Sequence, residues 1–253
     1  MRFACLGSGS RGNATLIEGG GVRLLVDCGL TVRELERRLV PLGVALHTLD
    51  AVLVTHEHGD HIRGIPALSR KLRLPLWMTC GTCSAAGCTE LEDLNLFHCH
   101  GGGFQVGGLR VEPYAIPHDA REPCQFLFRG DGLQLGLLTD SGSVTPHIVE
   151  RLRHSDALLL ECNHDPQMLA RGPYPPRLRR RVGGAYGHLS NDQAATLLGQ
   201  IDASRLRHLV AAHLSEKNNR PDKVRETLLS AAAALERRLT VAAQERATGW
   251  LEM

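Results

Sequence analysis

Aromatic side chains are scarce in this chain, at 4% of 253 residues. Proteins that hold single-stranded nucleic acid mainly by stacking need a platform of such rings, so that mode is excluded as the principal one. No apolar run approaches the roughly 20 residues of a membrane-spanning helix. The apolar stretch at residues 3–6 runs straight into Gly7-Ser8-Gly9-Ser10 and is too short for a secretion signal. There is little excess charge of either sign, only +2 overall, so the global balance names no partner. Repeats, low-complexity tracts and linkers are also missing. One domain over residues 1–253 is expected, cytoplasmic, with no membrane contact and no obligate protein partner. Eight cysteines without a secretion signal read as reduced thiols rather than a disulfide framework. Cys80, Cys83, Cys88 and Cys99 do gather, and Cys80-Gly-Thr-Cys83 is a CxxC. A structural zinc would need a second such pair, which their spacing does not give, and His98 and His100 would compete for the role.

Against these absences stands one dense cluster. Residues 55–61 read Thr55-His56-Glu57-His58-Gly59-Asp60-His61, the pattern His-x-His-x-Asp-His. It follows an apolar run at 49–54 that reads as a buried strand, and residues 62–72 read as a helix. Ligands at a strand end opening into a helix occupy the position where open α/β folds build their sites. His56 and His58, two apart, can turn toward one ion, while Asp60 and His61 can reach a second. Nitrogen and oxygen donors without thiolate suit zinc, manganese or iron.

Further strands are expected at 2–6, 14–18, 22–26, 74–78, 104–106, 109–116, 125–128, 134–138, 157–161, 207–211 and 239–242. Helices are expected at 30–39, 84–94, 144–153, 191–199 and 221–237. The arginine- and proline-rich stretch 171–181 reads as a loop. Three later strands end in candidate ligands: His118, Asp140 and His213. Each alone would pass for an ordinary polar strand-end residue. Taken with the first motif they complete a two-ion set, in which His56, His58 and His118 hold one ion, Asp60, His61 and His213 hold the other, and Asp140 bridges. A hydroxide shared by the ions is then the nucleophile, with Asp60 orienting it. Two aspartates and a hydroxide leave such a site attractive to an anion.

These residues resemble those of the metallo-β-lactamase-fold hydrolases. The turn Gly7-Ser8-Gly9-Ser10-Arg11-Gly12-Asn13, the strand end Val26-Asp27-Cys28-Gly29, and the runs Glu161-Cys162-Asn163-His164-Asp165 and Gly187-His188-Leu189-Ser190-Asn191 narrow the resemblance to the WalJ/YycJ-type branch, along nearly the whole chain. The resemblance implies a four-layer αββα sandwich of two facing mixed sheets, two divalent ions (zinc or manganese), and exonuclease action on DNA from the 5′ end. It also implies a histidine that protonates the leaving oxygen. That role falls to His188, because His213 follows a strand and suits the metal. Ser10, Asn13, Asn163, His164, Arg179 and Arg180 are the expected substrate-facing residues. Hydrolysis of a small ester, thioester or lactone on the same ions is the alternative reaction, and a binding module without chemistry is the alternative class.

Overall fold

The computed structural model describes residues 1–253, and the chain divides into two compact units. Unit 1 comprises Met1–Ala115, Ala120–Gly132 and Ala243–Glu252; unit 2 comprises Ile116–Asp119 and Leu133–Ala242 with Met253. In chain order the elements of unit 1 are β1 (Arg2–Gly7), β2 (Ala14–Gly19), β3 (Val22–Val26), α1 (Val32–Leu39), β4 (Ala51–Leu53), α2 (Gly59–Ile62), α3 (Ile65–Leu72), β5 (Leu76–Thr79), α4 (Cys80–Ala86), β6 (Leu94–Phe97), β7 (Phe104–Val106), β8 (Leu109–Ala115) and β9 (Cys124–Gly130). Unit 2 follows with β10 (Leu133–Leu138), α5 (Pro146–Leu152), β11 (Ala157–Glu161), α6 (Pro166–Arg171), α7 (Pro176–Val182), α8 (Asn191–Leu198), β12 (His208–Ala212), α9 (Pro221–Ala231) and β13 (Leu239–Val241). The last strand, β14 (Leu251–Glu252), returns to unit 1. No helix is long and apolar enough to cross a membrane.

The strands form two sheets of seven. The first lies in unit 1 in the order β14-β1-β2-β3-β4-β5-β6. Its β1, β2 and β3 are antiparallel neighbours, and Gly20 and Gly21 close the β2–β3 hairpin at φ 56° and 79°, a turn that L-residues adopt at a cost. From β3 to β6 the pairing is parallel. In the second sheet β7, β8 and β9 form an antiparallel ladder in unit 1, and β10 to β13 form a wholly parallel ladder in unit 2. β11 is buried along its whole length, as a parallel strand covered on both faces must be. In unit 1 Leu6, Leu16, Leu25, Leu35, Leu39 and Val52 are fully buried in one cluster.

Parallel pairing fixes where strand-end residues go. β3 and β4 pair with Val26 opposite Leu53, so Asp27 and the residues after Leu53 emerge at the same edge. In unit 2 Leu138 pairs with Leu160, and Glu161 with Ala212, so Asp140, Glu161 and His213 emerge together.

Several expected boundaries move for identifiable reasons. The helix expected at 62–72 is broken into α2 and α3. The Gly64 N–H is bound to Cys28 O at 2.8 Å, and Pro66 at the start of α3 has no N–H to continue the ladder. The helix expected at 84–94 instead starts at Cys80 under a Thr79 cap and stops at Gly87 (φ 63°), after which residues 94–97 enter the sheet as β6. The helix expected through 237 ends at Ala231 although alanines follow it; the chain turns there, buries Leu235 and feeds β13. Residues 176–182, expected as loop, form α7, because Pro176 sits in its first turn, where a fixed φ favours the helix.

Arg38 ties unit 1 together from within. Its side chain is 4% exposed, donates to Leu6 O at 2.9 Å and Gln244 O at 2.7 Å, and meets Glu34 at 2.7 Å. The hydrogen bond from Arg37, foremost, and that from Arg38 hold Glu34 down at about 2 against its partial burial. Replacing Arg38 by Met strands two carbonyls and is expected to cost about 2–4 kcal/mol in urea unfolding. Because Glu34 is depressed in the folded state, its contribution is complete above the ordinary carboxylate range and lost as pH falls toward about 2. The wild type measured from pH 6 down to 2 should show that loss, and Arg38→Met should show less of it.

Candidate metal centre

In unit 1 the motif emerges from the buried end of β4. Thr55 and His56 are buried, His61 is fully enclosed, and His58 and Asp60 are half-buried. The centroids of the His56 and His58 rings lie 4.7 Å apart, and those of His56 and His61 lie 4.2 Å apart. The orientation of His56 and His61 is set by Asp27, buried at the end of β3. Its carboxylate accepts from Thr55 N at 2.8 Å, from the Thr55 hydroxyl at 2.9 Å and from His61 Nδ1 at 2.8 Å. With the hydroxyl hydrogen given to Asp27, His56 Nδ1–H donates to Thr55 Oγ1 at 2.9 Å. Both imidazoles are thus held with the proton on Nδ1 and Nε2 as the lone-pair atom, the arrangement that carboxylate-backed metal ligands use, with the His61 lone pair accepting from Asn13 Nδ2 at 3.0 Å in this structure.

The floor under the motif is close-packed backbone. Asn13 N donates to Asp60 O at 2.7 Å, Cys28 N to His61 O at 2.7 Å and Gly29 N to Asn13 O at 2.9 Å. A Cβ on Gly29 would lie 1.7 Å from Asp60 O, so only glycine fits there. The Asn13 side chain is committed to this floor: its amide lies 3.2 Å from Asp60 Oδ2 and 3.0 Å from His61 Nε2, and its oxygen accepts from Gly9 N at 2.9 Å. Ser10 is exposed on the same turn.

In unit 2 His118, buried after β8, donates from Nδ1 to Gly187 O at 3.0 Å. Asp140, Glu161, His188 and His213 bring one donor atom each to within 4.8 Å of one another. Glu161 is fully buried at the end of β11. Its Oε1 accepts from His188 Nδ1 at 2.8 Å and His213 Nδ1 at 3.1 Å, and its Oε2 from Ser141 N at 2.9 Å and Leu189 N at 3.2 Å. Burial alone would raise the Glu161 pKa; the charge of His188 and the hydrogen bonds from both imidazoles outweigh it and hold it at about 2. His213 Nε2 lies 3.5 Å from Asp140 Oδ1. The His213 side chain is 4% exposed and that of His188 is 20% exposed, so His188 is the more open of the pair. Asn163 donates to His213 O at 3.0 Å. Asp27, Asp140 and His213 all sit at strand ends with φ of 55–59°, a backbone region non-glycine residues rarely enter.

A family model described as the Beta-lactamase superfamily domain matches residues 22–213. Exodeoxyribonuclease YycJ of Bacillus anthracis is 32% identical over 229 residues, covering 89% of this chain and 86% of the relative. Exodeoxyribonuclease WalJ of Streptococcus pneumoniae is 31% identical over 239 residues, covering 92% and 88%. The chain belongs to the metallo-β-lactamase superfamily, in its WalJ/YycJ branch. Among solved structures, the metallo-β-lactamase fold protein YhfI from Bacillus subtilis matches with a TM-score of 0.76 at 17% identity, covering 98% of this chain and 99% of that one. The fold class is accordingly the αββα metallo-β-lactamase sandwich, and the chain is a metal-dependent hydrolase.

The residues present fit divalent ions. The donors are imidazole nitrogens and carboxylate oxygens, and ligands about 2.0–2.2 Å from an ion stand roughly 3–4 Å from one another, compatible with the 3.5 Å between His213 Nε2 and Asp140 Oδ1. Neighbouring thiols are withheld. Burial pushes Cys28 up to about 12 and Cys162 higher still, and the Cys28 thiol donates to Leu30 O. Cys80, Cys83, Cys88 and Cys99 form no metal-binding group; Cys99 contacts Cys124 instead. Sequence reasoning missed Asp27 and Glu161 as functional groups. Each lies in a run that carried the family resemblance, which was the available signal. Asp27→Ala removes the group behind His61 and Thr55, and it is expected to weaken metal binding about 10–100-fold in chelator competition while the circular dichroism spectrum stays folded.

Proposed function

We propose that the chain is a dinuclear exonuclease that hydrolyses the phosphodiesters of DNA from the 5′ end. His56, His58 and His118 would hold one ion, Asp60, His61 and His213 the other, and Asp140 would serve both. Zinc and manganese both suit this donor set. When bound, the ions supply positive charge against the phosphate and acidify the attacking water. The rest is the work of the chain. Asp60 orients the water. Asp27 and Glu161 keep the imidazoles in one tautomer. His188 delivers a proton to the departing sugar oxygen.

The observation that carries this reading is the 2.8 Å hydrogen bond between His188 Nδ1 and Glu161 Oε1. That bond fixes the ring through Nδ1 and leaves Nε2 as the atom from which a protonated imidazole would donate. A sugar alkoxide is a poor leaving group and needs that proton. A thiolate leaves without one, so the pair favours a phosphodiester over a thioester. The relatives named exodeoxyribonucleases, similar along nearly the whole chain, support DNA as the substrate. A complete set of oriented donors argues against a binding module without chemistry. The reading calls for no protein partner beside the nucleic acid and places the enzyme in the cytoplasm.

His58→Ala should lose bound metal and activity together. His188→Ala should keep its metal by elemental analysis and lose turnover about 10²–10⁴-fold on end-labelled DNA. A His188→Ala protein without metal, beside a His213→Ala protein that retains it, would reverse the two assignments. Release of nucleotides from the 3′ label first would refute the direction, and equal activity after exhaustive chelation would refute the chemistry.

A further inference from the structure

The arginines of unit 2 are treated unequally. Some arginines of the chain meet carboxylates: Arg2 and Arg23 meet Glu18, Arg129 meets Glu112, and Arg205 meets Asp156. On α7, Arg181 pairs with Asp119. Arg177, Arg179 and Arg180 on the same helix have no carboxylate partner. Arg179 makes one hydrogen bond, to Ala170 O, which leaves most of its donors unused.

Arg179 and Arg180 line a cavity of ≈ 510 Å³ that lies wholly within unit 2. No carboxylate lines it, and Pro166, Leu169 and Pro176 give it an apolar wall. His164 lines it too. That side chain belongs to a residue only 4% exposed, and neither ring nitrogen has a hydrogen-bond partner; Nδ1 is fully enclosed. A buried imidazole without partners is costly and calls for an explanation. Its Nε2 faces Gly183, where a Cβ would approach to 4.0 Å, and Gly183 is itself part of the lining. The loop carrying His164 is rigidly set. Its backbone bridges Ser190, its carbonyl accepts from Asn191 N at 2.9 Å, and the preceding Asn163 holds His213 O. One loop therefore presents Asn163 to a candidate ligand and His164 to the cavity.

Resting on the nucleic-acid reading above, we propose that this cavity is a nucleotide subsite, which takes a phosphate on Arg179, Arg180 and His164 and lays the attached sugar and base against the proline and leucine wall. Two guanidinium groups without counter-charge supply the anion recognition, and arginine donors match phosphate oxygens in pairs. The imidazole supplies a directed donor between them. The apolar wall needs no stacked rings, which accords with a chain poor in aromatics. Its volume lies within the range of small-ligand pockets.

Isothermal titration of the full-length, metal-loaded protein with deoxyadenosine 5′-monophosphate tests this. Arg179→Gln/Arg180→Gln is expected to weaken binding about tenfold or more, and His164→Phe, which keeps the ring and its burial, to weaken it severalfold. Deoxyadenosine, lacking the phosphate, should bind weakly and equally to all three proteins. Arg180→Gln alone, at an exposed position, guards against misfolding of the others and should show part of the loss. The methyl phosphodiester of the same nucleotide separates the two sources of phosphate. Weaker binding of the diester assigns the subsite to a terminal phosphate, and equal binding assigns it to the strand backbone. Identical affinity of wild type and double variant for the monophosphate would overturn the proposal, as would a matching loss for deoxyadenosine. Cleavage of end-labelled DNA by the wild type is scored separately, so failure of the nuclease reading and failure of the subsite are distinct results.

Discussion

The Asp27 carboxylate is the constraint on which the first set of candidate ligands rests. A buried carboxylate is tolerated only when donors surround it. Asp27 is met by a backbone N–H, a hydroxyl and an imidazole, all between 2.8 and 2.9 Å. Satisfying that one charge dictates the rest. The Thr55 hydroxyl must point at Asp27, so His56 must donate to Thr55, and His61 must donate to Asp27. Two neighbouring imidazoles are left with Nε2 unprotonated before any ion arrives, that of His61 accepting from the Asn13 amide. Glu161 repeats the device in unit 2, gathering His188, His213 and two backbone N–H groups around a second buried carboxylate. The chain thus uses two enclosed acids to set four imidazoles.

The backbone carries the complementary constraint. Asp27, Asp140 and His213 leave their strands in the left-handed region, at φ 59°, 57° and 55°. Such residues hold strain of order 1–3 kcal/mol each when the surroundings over-determine them. Here the surroundings do. Asp27 N is bound to Leu53 O at 2.8 Å, and Asn163 holds the His213 carbonyl. A strand that continued extended would alternate its next side chain toward the sheet face. The left-handed turn instead throws the side chain over the strand end, beside its parallel neighbour. Half of the non-glycine residues with positive φ in this chain, three of six, serve this purpose.

The parts legible in the sequence were those whose meaning is local. His56, His58, Asp60 and His61 are contiguous, and their motif announces itself. His118, Asp140 and His213 stood out as candidates because each follows an apolar run, and those runs are strands. Asp27 and Glu161 were not readable from residue type, since a strand-end acid is ordinary and these acquire their roles from partners 28 and 27 residues away. Asn13 was expected to face substrate, whereas its amide is bound into the floor beneath Asp60 and His61. The α7 helix was read as loop because prolines dominate residues 173–176. Pro175 is the cap and Pro176 the first residue, so prolines that read as helix breakers here open a helix.

The charge on α7 cannot be explained by helix stability alone. Cations in a last turn are favoured by the helix dipole, by about 0.3–1 kcal/mol each when exposed. That accounts for Arg179, Arg180 and Arg181, which occupy the last turn. It does not account for Arg177, which follows Pro176 in the first turn, where the dipole opposes a cation. Nor does it explain why, of the four arginines on this one helix, only Arg181 has an acid beside it. Mutual repulsion among four arginines in seven residues is a standing cost to the folded state. An anion that approaches from outside removes that cost, and a polynucleotide backbone is an anion of the required length. The helix therefore has its unfavourable charge where the proposed substrate would cancel it, beside the loop that joins His164 to Asn163, which holds the His213 carbonyl.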